Sequence, residues 1–318
     1  MATEAFQAGC STAQRRADYA SVRMFRSLRP LLETASPVRA PLVLDPLMAR
    51  LAEDAGFEAV YLGGGGLGYA KTFLEASLSV TEMAQAGIDI AAVTTLPIIL
   101  DGACGWGDAV HLQRTIGLVE AAGFAAIELE DQPYPKRVGH HAGEDETIPA
   151  EQMEAKLRSA VAARRDPDFL IIARTNVATD DPDDALARSE RYRAAGADVL
   201  MPATGAVRDA DVVLRLGREL GPPLMYLAPP GGLAHTELSL ADLHGAGYRI
   251  VTDAMSLHLS VYAALKAGYR ELAEDGFSIS AGREAADWWT LVAELHETIG
   301  FDALLALERG ETPAGEAR

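Results

Sequence analysis

The chain has 318 residues, of which 49% are hydrophobic, so it can bury a sizeable core and is not globally disordered. Its formal net charge of −18 at pH 7 repels polyphosphate backbones, which argues against nucleic acid as a partner. No stretch approaches the roughly 20 apolar residues of a membrane span, residues 1–20 lack the apolar core of a signal peptide, and cysteines are scarce, so we expect a cytoplasmic protein without membrane contacts.

The first segment, residues 1–36, carries apolar residues at helical spacing, which predicts one helix ahead of the main body. A unit then repeats along the chain. A short run rich in Val, Ile and Leu ends in small or acidic residues, and an Ala-rich amphipathic stretch follows it. The runs cover residues 40–45, 59–64, 96–102, 125–131, 169–175, 198–204, 223–228 and 248–254.

These runs are continuously apolar rather than alternating, which indicates strands that are covered on both faces, as in a parallel sheet. An Ala-Gly pair precedes three of them, at Ala55, Ala122 and Ala195, and indicates a helix that stops at glycine before the next strand. Eight strands with seven intervening helices over about 250 residues favour an α/β fold of the (β/α)8 TIM-barrel type, with a doubly wound open sheet as the alternative. Residues 255–275 and 281–308 are predicted to be extra C-terminal helices. We therefore expect an N-terminal helical segment, 1–36, and a single barrel domain, 37–318.

In such a barrel the residues at the strand C-termini are the candidates for function. The stretch from Ile127 to Gly143 brings three acids to the end of the fourth run and then crowds cationic and imidazole side chains into the following loop. Asp101 and Glu130, at the ends of neighbouring runs, could hold Mg²⁺ mostly through waters. Arg174 offers a planar fork to a carboxylate. Each residue also has a structural interpretation, because a lone acid can cap a helix and Arg174 could neutralise buried acids.

The run from Gly63 to Gly68 formally matches the dinucleotide-binding pattern G-x-G-x-x-G. It follows the second run rather than the first, and the residues after it do not open a clear helix. We therefore interpret it as a glycine-rich turn whose N–H groups hold a carboxylate or another anion.

Taken in order, six segments resemble the isocitrate lyase/phosphoenolpyruvate mutase superfamily, and in particular the methylisocitrate lyases. The resemblance covers about residues 40–275, and the set as a whole is specific although no single piece is. The segments are Asp45 to Tyr61, Gly63 to Gly66, Asp101 to Gly107, Glu130 to His140, Ile172 to Thr175 and Ala195 to Asp198.

The resemblance implies a Mg²⁺-dependent barrel enzyme, usually a tetramer, that makes or breaks C–C or P–C bonds next to a carboxylate through an enolate-like intermediate. It places Asp101 at the metal and Glu130 in the metal's water shell. The residues that it implies for substrate binding are Tyr61, Gly63, Gly64, Gly65 and Arg174. Those that it implies for catalysis are Lys136, His140, Arg174 and Tyr61. A small-molecule carboxylate substrate and a homo-oligomer, tetramer or dimer, are the expected partners.

The sequence departs from the family pattern at several of these positions. Val138 stands where the lyases carry the cysteine that is taken as the acid. The mutase and hydrolase branch carries asparagine in this loop, and Val138-Gly139 does not match that either. Ala103 replaces the second aspartate of a D-x-D, Asn176 replaces an aspartate, and Glu75 is the nearest match to a further expected aspartate.

Three interpretations remain open. The first is a C–C lyase or decarboxylase of a small 2-oxo or 2-hydroxy carboxylic acid, such as oxaloacetate or methylisocitrate. The second is a phosphonopyruvate-type mutase or hydrolase. The third is a carboxylate-binding barrel that has lost or specialised its catalysis.

Overall fold

A computed structural model describes residues 27–144, 146–177, 181–207, 209–279 and 284–311. Most of the predicted N-terminal helix falls on residues 1–26, outside the described residues, and the rest of that segment contains a short 3-10 turn, Arg29–Glu33. The described residues from Ser27 to Tyr262 pack as one compact unit that contains all the strands, and those from Ala263 onward belong to a second unit. One domain over residues 37–318 stays a prediction.

Eight parallel strands form a sheet in the order β1-β8-β7-β6-β5-β4-β3-β2. A parallel bridge between Leu42 and Tyr61 joins β1 to β2, with the Val43 N–H donating to the Tyr61 carbonyl at 2.9 Å. Neighbours in sequence are thus neighbours in space around the ring, which confirms the barrel over the open doubly wound sheet. The strands are β1 Val38–Pro41, β2 Val60–Leu62, β3 Ile98–Asp101, β4 Ala126–Glu130, β5 Leu170–Arg174, β6 Val199–Met201, β7 Leu224–Ala228 and β8 Tyr248–Asp253.

Helices follow the strands as the repeat predicts, and local sequence sets their ends. Asp45 caps the first helix by accepting from the Met48 N–H at 2.8 Å, and Gly123 ends the fourth in the left-handed region at φ 95°. The helices are α1 Pro46–Asp54, α2 Gly64–Ala70, α3 Val80–Ala91, α4 Ala109–Ala122, α5 Ala150–Ala163, α6 Pro182–Ala194, α7 Ala210–Leu220, α8 Leu240–Gly245, α9 Ser256–Glu274, α10 Ala285–Ile299 and α11 Phe301–Glu308. Within the described part of the chain, no helix has the length and apolarity that a bilayer crossing requires.

Two sequence predictions need correction here. The glycine-rich stretch, expected to be a turn, is itself the short helix α2, because close packing against the Glu75 segment compensates for the poor helix propensity of glycine. The predicted helix over residues 281–308 is two helices, α10 and α11, because Gly300 takes a left-handed conformation at φ 66° between them.

The barrel has two apolar layers, because successive strand residues point to opposite faces. One set fills the inside of the barrel, for example Ile99 on β3, Ala126 on β4 and Ile172 on β5. The alternate set, including Ile98 and Ile127, packs between the strands and the helices. This alternation decides which strand-end side chains face the interior of the barrel at its C-terminal end.

Candidate active site

At the C-terminal end of the barrel, polar side chains continue the set of strand residues that point into the barrel, and there they meet. Asp101 lies two residues after Ile99, Glu128 and Glu130 continue from Ala126, and Arg174 lies two residues after Ile172. The register aligns Asp101 with Glu128 and Glu130 with Arg174 across neighbouring strands. All four are buried.

Arg174 connects the acids of β4 from its position on β5. Its Nη1 donates to Glu128 Oε1 at 2.9 Å, and its Nε donates to Asn176 Oδ1 at 2.9 Å and lies 3.5 Å from Glu130 Oε2. The Tyr61 hydroxyl donates to the other oxygen of Glu128 at 2.9 Å. Of the three guanidinium nitrogens, Nη2 has no acceptor among the described residues.

Lys136 reaches the same acids from the loop that follows β4. Its side chain is only 4% exposed, and its ammonium donates to Glu75 Oε1 at 2.8 Å and also forms a short ion pair with Glu130 Oε1. The second oxygen of Glu130 accepts from Asn176 Nδ2 at 3.1 Å. Glu130 is thus bracketed by two cations and an amide.

The carboxylate of Asp101 lies against backbone. Its Oδ2 accepts from the Gly64 N–H at 2.9 Å, and its Oδ1 accepts from the Ala103 N–H at 3.1 Å. The carboxylate held by the glycine-rich stretch is therefore one of the chain's own. A Cβ on Gly64 would lie 2.6 Å from Glu75 Cγ, and one on Gly68 would lie 2.7 Å from the Glu75 nitrogen, so these glycines let Glu75 approach the acids.

Charge does not balance within this cluster. Four buried carboxylates, from Glu75, Asp101, Glu128 and Glu130, face two buried cations, Lys136 and Arg174. The fully ionised cluster therefore carries a formal surplus of two negative charges.

The pKa values of the acids respond to this surplus. Burial raises the pKa of Glu128 to about 7, against the opposing charge of Arg174. Burial and the nearby Asp101 also raise the pKa of Glu75. Burial acts to raise the pKa of Glu130 as well, but the charges of Lys136 and Arg174 outweigh it and hold that pKa well below its usual range.

A divalent cation fits the charge of the cluster, since two positive charges would neutralise its surplus. Among the described residues, no group of three or more His, Cys, Asp or Glu side chains is arranged as a ready metal cluster. The acids point instead at Lys136, Arg174 and backbone N–H groups. The surplus of two negative charges still favours Mg²⁺ at this site, because Mg²⁺ is commonly held by only one or two carboxylates, with waters and ligand oxygens completing its coordination shell.

The loop after β4 places two histidines beside the cluster. It forms a 3-10 turn, Val138–Ala142, in which His140 Nδ1 lies 2.7 Å from Gln132 Nε2. His141 Nδ1 lies 3.4 Å from the Tyr69 hydroxyl. The Val138 side chain points outward, with the residue 62% exposed.

The structure therefore brings together most of the residues that the sequence singled out. Tyr61, Glu130, Lys136 and Arg174 belong to one network of hydrogen bonds and ion pairs. Asp101 binds the Gly64 N–H and adjoins this network through the backbone of Ala103, and His140 lies beside it. Gly63 caps α2, and Gly65 follows Gly64 in its first turn, where a Cβ would meet nothing within 4 Å. The individual catalytic, substrate-binding and metal-binding roles of these residues stay predictions.

Three further residues belong to the site or support it, namely Glu75, Asn176 and Asp131. Glu75 was recognised in the sequence only as the nearest match to an expected aspartate, and Asn176 as a strand-end residue that replaces an aspartate, yet both touch the central ion pairs. The inward placement of Asn176 follows from strand alternation, because it continues the inward set two residues after Arg174. Glu75 carries no such signal, since it arrives from a 3-10 turn, Glu75–Ser77.

Asp131, by contrast, points outward and is structural. It accepts hydrogen bonds from Thr175 Oγ1 and the Tyr192 hydroxyl, both at 2.7 Å, and pairs with Arg188 at 3.2 Å. It also accepts from the backbone N–H of Asn176 at 3.3 Å. Asp131 thereby fixes the end of β5 against α6, behind the site.

Known proteins resemble this chain in sequence and in fold. The sequence pattern of the phosphoenolpyruvate phosphomutase family matches residues 28–273. An oxaloacetate decarboxylase of Chromohalobacter salexigens is 36% identical over 250 residues, 77% of this chain and 83% of that protein. A 2-methylisocitrate lyase of Aeropyrum pernix is 32% identical over 276 residues, 86% of each chain. A crystal structure of phosphonopyruvate hydrolase with oxalate and Mg²⁺ superposes with a TM-score of 0.76 at 27% identity, covering 89% of this chain and 96% of that one.

These similarities extend over the barrel and its catalytic end. The match to the family pattern alone covers well over half of the chain. The two relatives are thus a decarboxylase and a lyase, and one solved neighbour is a 2,3-dimethylmalate lyase of the phosphoenolpyruvate mutase/isocitrate lyase superfamily. The chain belongs to the phosphoenolpyruvate mutase family and is an enzyme of the isocitrate lyase/phosphoenolpyruvate mutase superfamily.

Proposed function

We propose that this enzyme is a Mg²⁺-dependent decarboxylase or carbon–carbon lyase that acts on a small 2-oxo or 2-hydroxy carboxylic acid through an enolate, with oxaloacetate as the first candidate. Two observations carry the proposal: the buried surplus of two carboxylates, and Arg174, whose Nη2 has no acceptor among the residues that the structure describes. A divalent cation would neutralise the surplus charge, and a substrate carboxylate would accept a hydrogen bond from the arginine.

Asp101 and Glu130 are the residues that would hold the cation. When bound, Mg²⁺ supplies positive charge to the oxygen on which negative charge develops. Arg174 presents Nη2 to a substrate carboxylate while Asn176 and Glu128 fix the plane of the guanidinium. Lys136, held by Glu75 and Glu130, adds a second positive charge at the same end of the barrel.

In oxaloacetate decarboxylation the bond from C3 to the departing carboxylate breaks, and its electron pair forms the enolate of pyruvate as CO2 leaves. The enolate then takes a proton at C3. Tyr61 is a poor donor for this step, because it is fully buried and its hydroxyl already donates to Glu128. His140 on the loop, or water, can supply the proton.

The loop favours decarboxylation over cleavage of a larger acid. Val138 has no proton to give, and it is exposed where the lyases carry their acid. Cleavage that leaves a dicarboxylate carbanion depends on a placed acid more than loss of CO2 does. The similarity to a 2-methylisocitrate lyase over 86% of the chain supports cleavage of a methylisocitrate-like 2-hydroxy acid as the second candidate.

Direct assay tests the proposal. Protein stripped with a chelator and resupplied with Mg²⁺ is expected to convert oxaloacetate to pyruvate, measured by coupled reduction with lactate dehydrogenase. Methylisocitrate and phosphonopyruvate serve as parallel substrates, and Asp101→Asn measures the background rate of Mg²⁺ in solution. Equal rates for the wild type and Asp101→Asn, or activity without any divalent cation, would refute the proposal.

We also propose that the enzyme is a homo-oligomer, tetramer or dimer. Large apolar side chains on its last helices are exposed in the single chain, among them Trp289 at 76%, Leu307 at 58% and Leu304 at 50%. Light scattering after size-exclusion chromatography tests this, and a monomer at micromolar concentration would contradict it. A cytoplasmic location stays a prediction from the sequence.

A further inference from the structure

Lys156 breaks the pattern of the helix that carries it. The buried face of α5 consists of Ala150, Met153, Leu157 and Ala160, at the spacing of one helical stripe. Lys156 lies on that same face and is only 5% exposed. A lysine in a buried apolar stripe is unusual, and such departures tend to mark functional positions.

The buried ammonium of Lys156 has no carboxylate partner among the described residues. Its one hydrogen bond there is a short donation to the backbone carbonyl of Cys104. Burial lowers the pKa of Lys156, against the pull of more distant acids such as Glu130 and Asp131. Burying a charge without an ion-pair partner is costly, so the fold alone does not explain this residue.

Cys104 lies in the turn that connects β3 to α4, next to the two acids of the proposed cation site. Its neighbour Ala103 donates its N–H to Asp101 Oδ1 at 3.1 Å and accepts at its carbonyl from the Glu130 N–H at 2.9 Å. The backbone between Asp101 and Cys104 therefore sets the position of one acid through its side chain and of the other through its main chain.

This turn is strained. Ala103 and Trp106 both have positive φ, at 46° and 55°, although neither is glycine. Such backbone conformations are energetically unfavourable for residues other than glycine and persist only where surrounding contacts hold them. One such contact is the Trp106 indole N–H, which donates to the Leu78 carbonyl at 2.9 Å, and the Lys156 ammonium holds the Cys104 carbonyl from the other side.

We propose that Lys156 is a positioning residue, whose ammonium holds the strained turn from Asp101 to Gly107 in the shape that presents Asp101 and Glu130 to the cation. This inference rests on the proposed function for its link to Mg²⁺. The placement of the turn, however, is a property of the protein alone. It distinguishes Lys156 from Lys136, which touches the acids directly.

Lys156→Met tests the inference, because methionine keeps most of the length and the apolar packing of the lysine stem but removes the donor and the charge. Amide hydrogen exchange in the Asp101–Gly107 turn is expected to become at least about tenfold faster, while the melting temperature changes little, since loss of a buried charge offsets loss of one hydrogen bond. The Kd for Mg²⁺, measured by calorimetry, is expected to rise about tenfold, as for other supporting residues of metal sites.

Two variants complete the experiment. Arg158→Met is the matched control, because Arg158 is a cation on the same helix that is 57% exposed and contacts Glu154 instead of the turn. Lys156→Arg restores a cationic donor and is expected to recover slow exchange. If Lys156→Met fails to fold, Lys156→Gln, which keeps an N–H donor without the charge, replaces it, and partial protection of the turn is then expected.

Each outcome decides one point. Unchanged exchange in the turn, or faster exchange spread evenly over the barrel, overturns the positioning role. Faster exchange in the turn with an unchanged Kd for Mg²⁺ removes the link to the cation and overturns the inference as stated. Absence of Mg²⁺ binding in the wild type refutes the proposed function, and in that case hydrogen exchange still decides whether Lys156 holds the turn.

Discussion

Removal of Lys136 is the perturbation that tests the charge arrangement of the site most directly. The Lys136 side chain is 4% exposed, and its ammonium pairs with Glu75 and Glu130, whose side chains are 6% and 0% exposed. Lys136→Met keeps the volume of the side chain but leaves two buried carboxylates without this partner. The formal surplus of negative charge then rises from two to three.

The magnitude follows from the burial of all three groups. Breaking a buried ion pair by removing one partner costs about 3–5 kcal/mol. Uptake of a proton by Glu75, whose pKa burial already raises, brings the cost toward the lower value. For a protein of 318 residues, whose entropy of unfolding is about 0.7 kcal/mol/K near 60 °C, the loss corresponds to a decrease in melting temperature of roughly 5 °C in the absence of a divalent cation.

Mg²⁺ is expected to restore part of the stability that Lys136→Met loses. Because Glu130 no longer pairs with an ammonium and the cluster is more negative, the variant should bind Mg²⁺ at least about tenfold more tightly, a gain of roughly 1.4 kcal/mol. A ligand at 100 times its Kd stabilises the folded state by about 2.7 kcal/mol. Saturating Mg²⁺ should therefore raise the melting temperature of Lys136→Met more than that of the wild type, while activity is lost.

The assay is thermal unfolding with chelator and with graded Mg²⁺, together with calorimetric Kd values. Arg137→Met is the matched control, because this neighbouring cation is 58% exposed and lies 3.8 Å from an exposed glutamate, Glu146. Adding Glu75→Gln to Lys136→Met should restore part of the lost stability, since it removes one of the unpaired charges. Weaker Mg²⁺ binding in Lys136→Met, or unfolding in chelator identical to that of the wild type, would refute this account of the cluster.

Three further predictions concern the metal, the loop and the barrel wall. Asp101→Asn removes the negative charge of the carboxylate and places an amide N–H against one of its two backbone N–H donors. The Kd for Mg²⁺, measured by calorimetry, should therefore rise about 100-fold or more. An unchanged Kd would exclude Asp101 as a ligand. Val138→Cys puts a thiol at an exposed loop position, so the free energy of unfolding should change by less than about 0.5 kcal/mol. Cleavage of methylisocitrate should appear in this variant, because the thiol can donate a proton. No gain in cleavage over a Val138→Ser control would indicate a remodelled pocket. Tyr248 is fully buried, its hydroxyl donates to the Val213 carbonyl at 2.9 Å, and burial raises its pKa. The stability that Tyr248 contributes is therefore complete below the pKa of an unfolded tyrosine, about 10, and above that pH it is lost at about 1.4 kcal/mol per pH unit. In chemical denaturation, the free energy of unfolding of Tyr248→Phe should therefore fall less steeply from pH 10 to 11 than that of the wild type. Equal slopes would contradict the assignment.

The sequence by itself determined the barrel. Continuous apolar runs, glycine stops such as Gly123 and helix caps such as Asp45 are local signals, and each acts within a few residues of its own position. The inward placement of Asp101, Glu130 and Arg174 also follows from sequence, because strand alternation continues to the end of each strand.

Tertiary structure alone decided how these side chains pair. Glu75 reaches Lys136 from 61 positions away, by way of a glycine helix whose formation depends on packing against that same segment. Lys156 reaches the Cys104 carbonyl across 52 positions, from a helical stripe in which local pattern predicts an apolar residue. Neither contact has a local signature, because a buried charge is placed by the field and the hydrogen-bond partners around it, and distant segments of the chain supply both.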